Sequence, residues 1–304
     1  MKFHQSSSPL IEAEELLEVI DRSNQVILDV SPSGNKSGLM PKHPDAQIEG
    51  ALKVDLKTHF SRRNTVLPNM APSPEAFAEQ LRLLDIDRNT DVIIYDKLGI
   101  YTAPRLWWLF RTMGHERVRV LNGGLDAWIE VGGKVEEKGE DAAVWKVETL
   151  QPHDENSDMA GKVEIIQTHY HKNYATWSRA DIQSNLQSAE ATVVDARSAG
   201  RFTGDAPEPR PGWPSGHIPQ SVNIPFKTLL SGGKYLPAEV LKKKLSVMIS
   251  PSGPLVFSCG SGLTACIVLL ATALVSPDRD LYLYDGSWVE WADPQGEGCP
   301  IATG

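Results

Sequence analysis

The chain has three cysteines, and only Cys259 stands where a thiol can serve as a nucleophile. It closes the apolar run Leu255-Val256-Phe257-Ser258 and opens the loop Cys259-Gly260-Ser261-Gly262-Leu263-Thr264. An apolar stretch, Ala265 to Val275, follows and reads as a helix. Glycines let a short loop turn so that several backbone N–H groups converge on one point. The N-terminus of the next helix adds positive potential there. A thiol held at that point is placed to react as thiolate, and the same cradle suits a persulfide anion. Cys266 lies within the apolar stretch and reads as packing. Cys299 sits in a Gly-rich tail and carries no pattern.

Ser261 and Thr264 bring hydroxyls into the cysteine loop. His153, His169 and His171 fall in a polar stretch at spacings that match no standard ligand set, so no metal is expected. No cofactor is required, since the thiol carries the chemistry.

Bulk properties bound the rest. The chain has 304 residues, 41% hydrophobic and 23% charged, which suggests about two globular domains. A net charge of -9 argues against a nucleic-acid partner. An odd, small number of cysteines gives no disulfide framework and suits a reducing compartment. The first ten residues lack a leader's apolar core, and the longest apolar run is too short for a bilayer. The expectation is a cytoplasmic protein with no membrane partner.

The elements that must position the site appear twice. Val92 to Asp96 is a β-prone run followed by a loop and the helical stretch Tyr101 to Met113; Leu255 to Cys259 begins the same sequence of events. Asp96 and Cys259, Gly123 and Gly286, and Trp128 and Trp291 are each 163 residues apart. Short apolar strands alternating with helices predict an α/β fold, two tandem domains with mainly parallel sheets flanked by helices. In such sheets the reactive residues lie at the carboxyl ends of strands. The expected boundaries are 1–145 for the first domain, 146–173 for a polar linker and 174–304 for the second, catalytic domain.

The loop Cys259-Gly260-Ser261-Gly262-Leu263-Thr264 resembles the active-site loop of 3-mercaptopyruvate sulfurtransferases, in the two-domain rhodanese family. The resemblance covers nearly the whole chain. It includes Gly200-Arg201-Phe202, Glu208-Pro209-Arg210, Gly216-His217-Ile218-Pro219, the run Asp285 to Trp291, and Tyr101 to Trp108. It implies a sulfurtransferase that carries sulfur as a Cys259 persulfide, with Arg201 and Arg210 holding the donor. It also implies a silent first domain, with Asp96 at the cysteine position, that walls the cleft through residues such as Tyr101 and Asn69. The implied donor is 3-mercaptopyruvate or a similar small anion, and the acceptor is thioredoxin, a small thiol or cyanide.

One departure bears on mechanism. Where the family carries an acidic residue and then a His-Met pair, this chain has Lys57 and Asn69-Met70. The family's Ser-His-Asp relay therefore cannot be assembled from the usual residues, because an amide does not shuttle protons near neutral pH. His59 is the nearby candidate to replace it. Two alternatives share the fold: a thiosulfate:cyanide sulfurtransferase, against which the cation-free loop argues, and a relay module fed by a protein persulfide. A cysteine phosphatase would need an arginine six residues after the cysteine, where Ala265 stands.

Overall fold

The computed structural model of the protein describes residues 8–34, 38–137, 174–296 and 298–304. In the first half, β1 (Leu10–Ile11), β2 (Gln25–Asp29), β3 (Ala46–Ile48), β4 (Leu52–Lys53), β5 (Asp91–Tyr95), β6 (Val118–Leu121) and β7 (Val135–Glu137) alternate with helices. Those helices are α1 (Ala13–Val19), α2 (Leu56–His59), α3 (Pro74–Leu83), α4 (Ala103–Thr112) and α5 (Gly124–Glu130). In the second half the strands are β8 (Thr176–Trp177), β9 (Thr192–Asp195), β10 (Val222–Asn223), β11 (Leu230–Ser231), β12 (Lys234–Tyr235), β13 (Leu255–Ser258) and β14 (Leu281–Tyr284). Its helices are α6 (Arg179–Ser188), α7 (Ala199–Thr203), α8 (Ala238–Met248), α9 (Ala265–Val275) and α10 (Ser287–Trp291). The proposed linker, 146–173, and its three histidines lie outside the described residues.

Two five-stranded sheets form, in the orders β1-β6-β5-β2-β4 and β8-β14-β13-β9-β10, and every pairing within them is parallel. Element for element, the second sheet repeats the first. The 163-residue offset is therefore an offset in topology, with Asp96 directly after β5 and Cys259 directly after β13. Parallel sheets are covered on both faces, so their strands read as unbroken apolar runs; all four residues of β13 are buried.

The halves meet through the helices that follow the two equivalent loops. α4 and α9 pack against each other, and nine residues of each are buried. An apolar surface all round a helix demands cover on every side; α9 obtains it from its own sheet, α8 and α4. One continuous core runs from Leu28 and Ile94 through Trp107 and Phe110 to Leu269 and Leu283. α4 begins two residues later than the periodicity suggests, because the N–H groups of Tyr101 and Thr102 turn towards Asp96.

Each half also braces the other's loop. The Ala71 N–H donates to Asp285 Oδ2 (2.6 Å), and the Tyr235 N–H donates to Asn122 Oδ1 (2.9 Å). Asn122 and Asp285 are again 163 residues apart. The segment after α2 thus lies on the loop after β14, and the β11–β12 hairpin lies on the loop after β6 and, through Gly233 and Gly99, on the Asp96 loop. A Cβ on Gly99 would sit 2.6 Å from the Gly233 carbonyl oxygen, so the second contact needs glycine. Among the described residues no helix is long and apolar enough to cross a membrane.

Candidate active site

Cys259 is held from both sides. Its N–H donates to Ser287 Oγ (3.2 Å), which in turn donates to the Tyr284 carbonyl (2.8 Å). The carbonyls of Cys259 and Gly260 accept the N–H groups of Trp288 and Val289, each at 3.0 Å. The loop after β13 is thus hydrogen-bonded to the first turn of α10, which fixes the thiol at the carboxyl end of a central strand. Gly262 has φ +76°, and a Cβ there would lie 2.9 Å from the Asp285 carbonyl oxygen.

Beneath this loop lies a buried ion pair between the halves. Arg105 Nη1 of α4 is 2.8 Å from Asp285 Oδ1, with side-chain exposures of 1% and 4%. The same guanidinium donates to the carbonyls of Gly262 (3.3 Å) and Asn69, and lies over the Trp108 ring. Asn69 Nδ2 donates to both the carbonyl (3.1 Å) and the Oγ (3.0 Å) of Ser261. The first half therefore positions the cysteine loop as well as walling the cleft.

Above the loop opens a cavity of about 620 Å³, with Cys259, Gly260, Ser261, Leu263 and Thr264 on one wall and Tyr101 contributed by the first half. Arg201 and Arg210 line it too. Gly262 does not; its backbone faces Arg105 and Asp285 instead. Asn69 reaches the cavity only through Ser261. His59 is not among the lining residues, and its Nδ1 accepts the Asp55 N–H (3.0 Å).

Electrostatics divide the lining cations into two sets. Arg201 is gripped by Glu208 through two bonds (2.9 and 2.6 Å). Arg197, fully buried, bonds to Asp195 and Glu208 and stacks on Trp288 at 4.1 Å. These two guanidiniums and two carboxylates sum to no net charge. Arg210, over the Trp213 ring, and the exposed Lys227 have no carboxylate partner among the described residues. The site is thus electropositive within an acidic chain.

Sequence reasoning did not single out Arg197, Lys227, Arg105 or Trp213. Arg197 had a signal, because Asp195-Ala196-Arg197 ends the strand beside the cysteine strand. Lys227 had none, since only the fold carries the short turn after β10 to the cavity. Cys266 behaves as packing: its thiol faces the Gly262 carbonyl (3.4 Å), and burial pushes its pKa up to about 12.

The first half displays how such a loop holds a carboxylate. The Asp96 carboxylate accepts four backbone N–H groups, from Leu98 (2.9 Å), Tyr101 (3.0 Å), Thr102 (2.8 Å) and Ala103 (3.0 Å). Burial raises its pKa, and these bonds oppose that shift. Lys97, at the position of Gly260, runs its side chain to the Pro44 carbonyl (2.6 Å). In the second half the Cys266 N–H, equivalent to that of Ala103, bonds the Leu263 carbonyl instead (3.3 Å).

Comparison with known proteins agrees with this geometry. The rhodanese-like domain family matches residues 12–131 and again 178–294. The chain is 38% identical to thiosulfate/3-mercaptopyruvate sulfurtransferase 1, mitochondrial, of Arabidopsis thaliana, over 94% of this chain and 76% of that protein. It is 38% identical to human 3-mercaptopyruvate sulfurtransferase, over 81% of this chain and 77% of that one. The crystal structure of SseA from Escherichia coli, described with the fold and mechanism of 3-mercaptopyruvate sulfotransferases, superimposes with a TM-score of 0.72. That match has 29% identity and covers 93% of this chain and 99% of SseA. Two copies of one fold, facing each other across a cysteine loop that only the second has kept, make this chain a sulfurtransferase of the two-domain rhodanese family.

Proposed function

We propose that the protein transfers sulfur from 3-mercaptopyruvate to a thiol acceptor through a persulfide on Cys259. The observation that carries this reading is a cysteine on the wall of an electropositive cavity, in a loop that itself bears no cation. The Cys259 thiolate attacks the donor's sulfur, the S–S bond forms, and the C–S bond breaks with its electron pair passing to carbon. Pyruvate leaves as its enolate. The proton of the donor's own thiol ends on the new methyl group, so no net acid is consumed. Arg201 and Arg210 hold the carboxylate and the ketone. The N–H groups of Ser261, Thr264 and Ala265, counterparts of those on Asp96, stabilise the persulfide anion. A thiol such as thioredoxin or a small thiol, or cyanide, then takes the outer sulfur.

The supporting chemistry is electrostatic. A loop without a cation suits a monoanionic donor, while Arg210 and Lys227 supply positive charge at the cavity. Those two cations also keep thiosulfate, a dianion, as the second reading, and the Arabidopsis relative carries both donors in its name. Steady-state pyruvate release should prefer 3-mercaptopyruvate and fall at least about 10³-fold in Cys259→Ser, the scale expected for a lost nucleophile. Turnover with thiosulfate alone would replace this reading by the second.

A further inference from the structure

The hydrogen bonds at Asn69 assign Ser261 a direction. Asn69 holds φ +59°, a left-handed conformation that asparagine tolerates better than most residues. A backbone carbonyl can only accept, so the contact to the Ser261 carbonyl makes the near atom of the amide its NH₂. That nitrogen also lies 3.0 Å from Ser261 Oγ, and it donates there too. Ser261 Oγ is therefore an acceptor towards Asn69 and keeps its single proton for another partner. Among the described residues no acceptor takes that proton, and Ser261 lines the cavity.

We propose that Asn69 is a positioning residue: by donating to Ser261 Oγ it fixes the hydroxyl as an acceptor on that side and leaves its proton to face the ketone oxygen as it becomes the enolate. The inference rests on the mercaptopyruvate reading. A histidine at position 69 could accept the serine proton and pass it on; asparagine cannot. The proton balance above makes such a shuttle unnecessary, since the donor's thiol supplies what the enolate needs. The ionisable groups facing Ser261 and its cavity are Cys259, Cys266, Arg105 and Asp285 at the loop, and Tyr101, Arg197, Arg201, Glu208, Arg210 and Lys227 around it. None is an imidazole.

The test is single-turnover pyruvate release without an acceptor, on the native protein and on Asn69→Gly, Asn69→His, Ser261→Ala and the Asn69→Gly/Ser261→Ala pair. Glycine keeps the left-handed backbone and removes only the amide, and thermal melting checks that each variant folds. Ser261→Ala should lower the rate about 10²-fold, as loss of an oxyanion donor does, with half-saturation changed less than about threefold. Asn69→Gly should cost about tenfold alone and nothing further in the Ser261→Ala background, because it acts through the serine. The ratio of Asn69→His to native rates should change between about pH 6 and 7, while the Asn69→Gly ratio stays flat. Equal losses from Asn69→Gly in both backgrounds, or an unchanged Ser261→Ala rate, would overturn the proposal alone. A native protein that releases no pyruvate would overturn the mercaptopyruvate reading, and this inference with it.

Discussion

Replacing Asp285 with asparagine keeps the side chain's shape and deletes the charge that faces Arg105. At 2.8 Å, with an effective dielectric constant of about 20, the attraction removed is about 6 kcal/mol before desolvation is counted. Asparagine relieves some desolvation, but it leaves a guanidinium buried among neutral acceptors. The net cost of breaking such a pair is about 3–5 kcal/mol. The continuous core across α4 and α9 makes the halves unfold together, so this loss should lower Tm by about 6–20 °C at roughly 2–4 °C per kcal/mol. Denaturant unfolding and calorimetry measure it. Adding Arg105→Met to Asp285→Asn should recover part of the loss, because the stranded charge is gone. A loss below about 1 kcal/mol in Asp285→Asn, or strict additivity in the pair, would refute the claim that this bridge clamps the two halves.

Glu208 neutralises both Arg197 and Arg201, so Glu208→Gln should improve binding of a dianion more than of a monoanion; KM for thiosulfate should fall several-fold relative to that for 3-mercaptopyruvate, and equal shifts would contradict this charge assignment. His115 is buried, with Nε2 donating to the Thr90 carbonyl (3.1 Å) and its ring edge-on to Phe110. Burial lowers its pKa from the usual 6.5, so the unfolded chain takes up the proton first as pH falls. Its contribution to stability is complete above about pH 6.5 and is lost as pH drops below that value, by at most about 1.4 kcal/mol per pH unit. His115→Gln should flatten this part of the stability profile, measured by urea unfolding from pH 5 to 7.5.

Much of the fold was legible because its signals are local. Apolar strands, glycine-bearing loops and an apolar helix recur at a fixed offset, and each follows from near neighbours in the chain. Cys259 was legible for the same reason, since strand, loop and helix are contiguous. Arg105 was not: between Pro104 and two tryptophans it reads as an ordinary helix residue, and only α4 packing on α9 brings it to Asp285. Lys227 lies 32 residues before Cys259 in a turn without a motif.

Local signals along the chain establish two α/β halves, a cysteine loop in the second with Asp96 at the matching place in the first, and an asparagine at position 69. The tertiary structure decided what those residues mean. Asn69 lies 192 residues from Ser261, and no local rule gives the direction of a hydrogen bond between them. That direction depends on a carbonyl that can only accept, on the backbone conformation that presents the amide, and on the Arg105–Asp285 pair that holds the two halves at bonding distance.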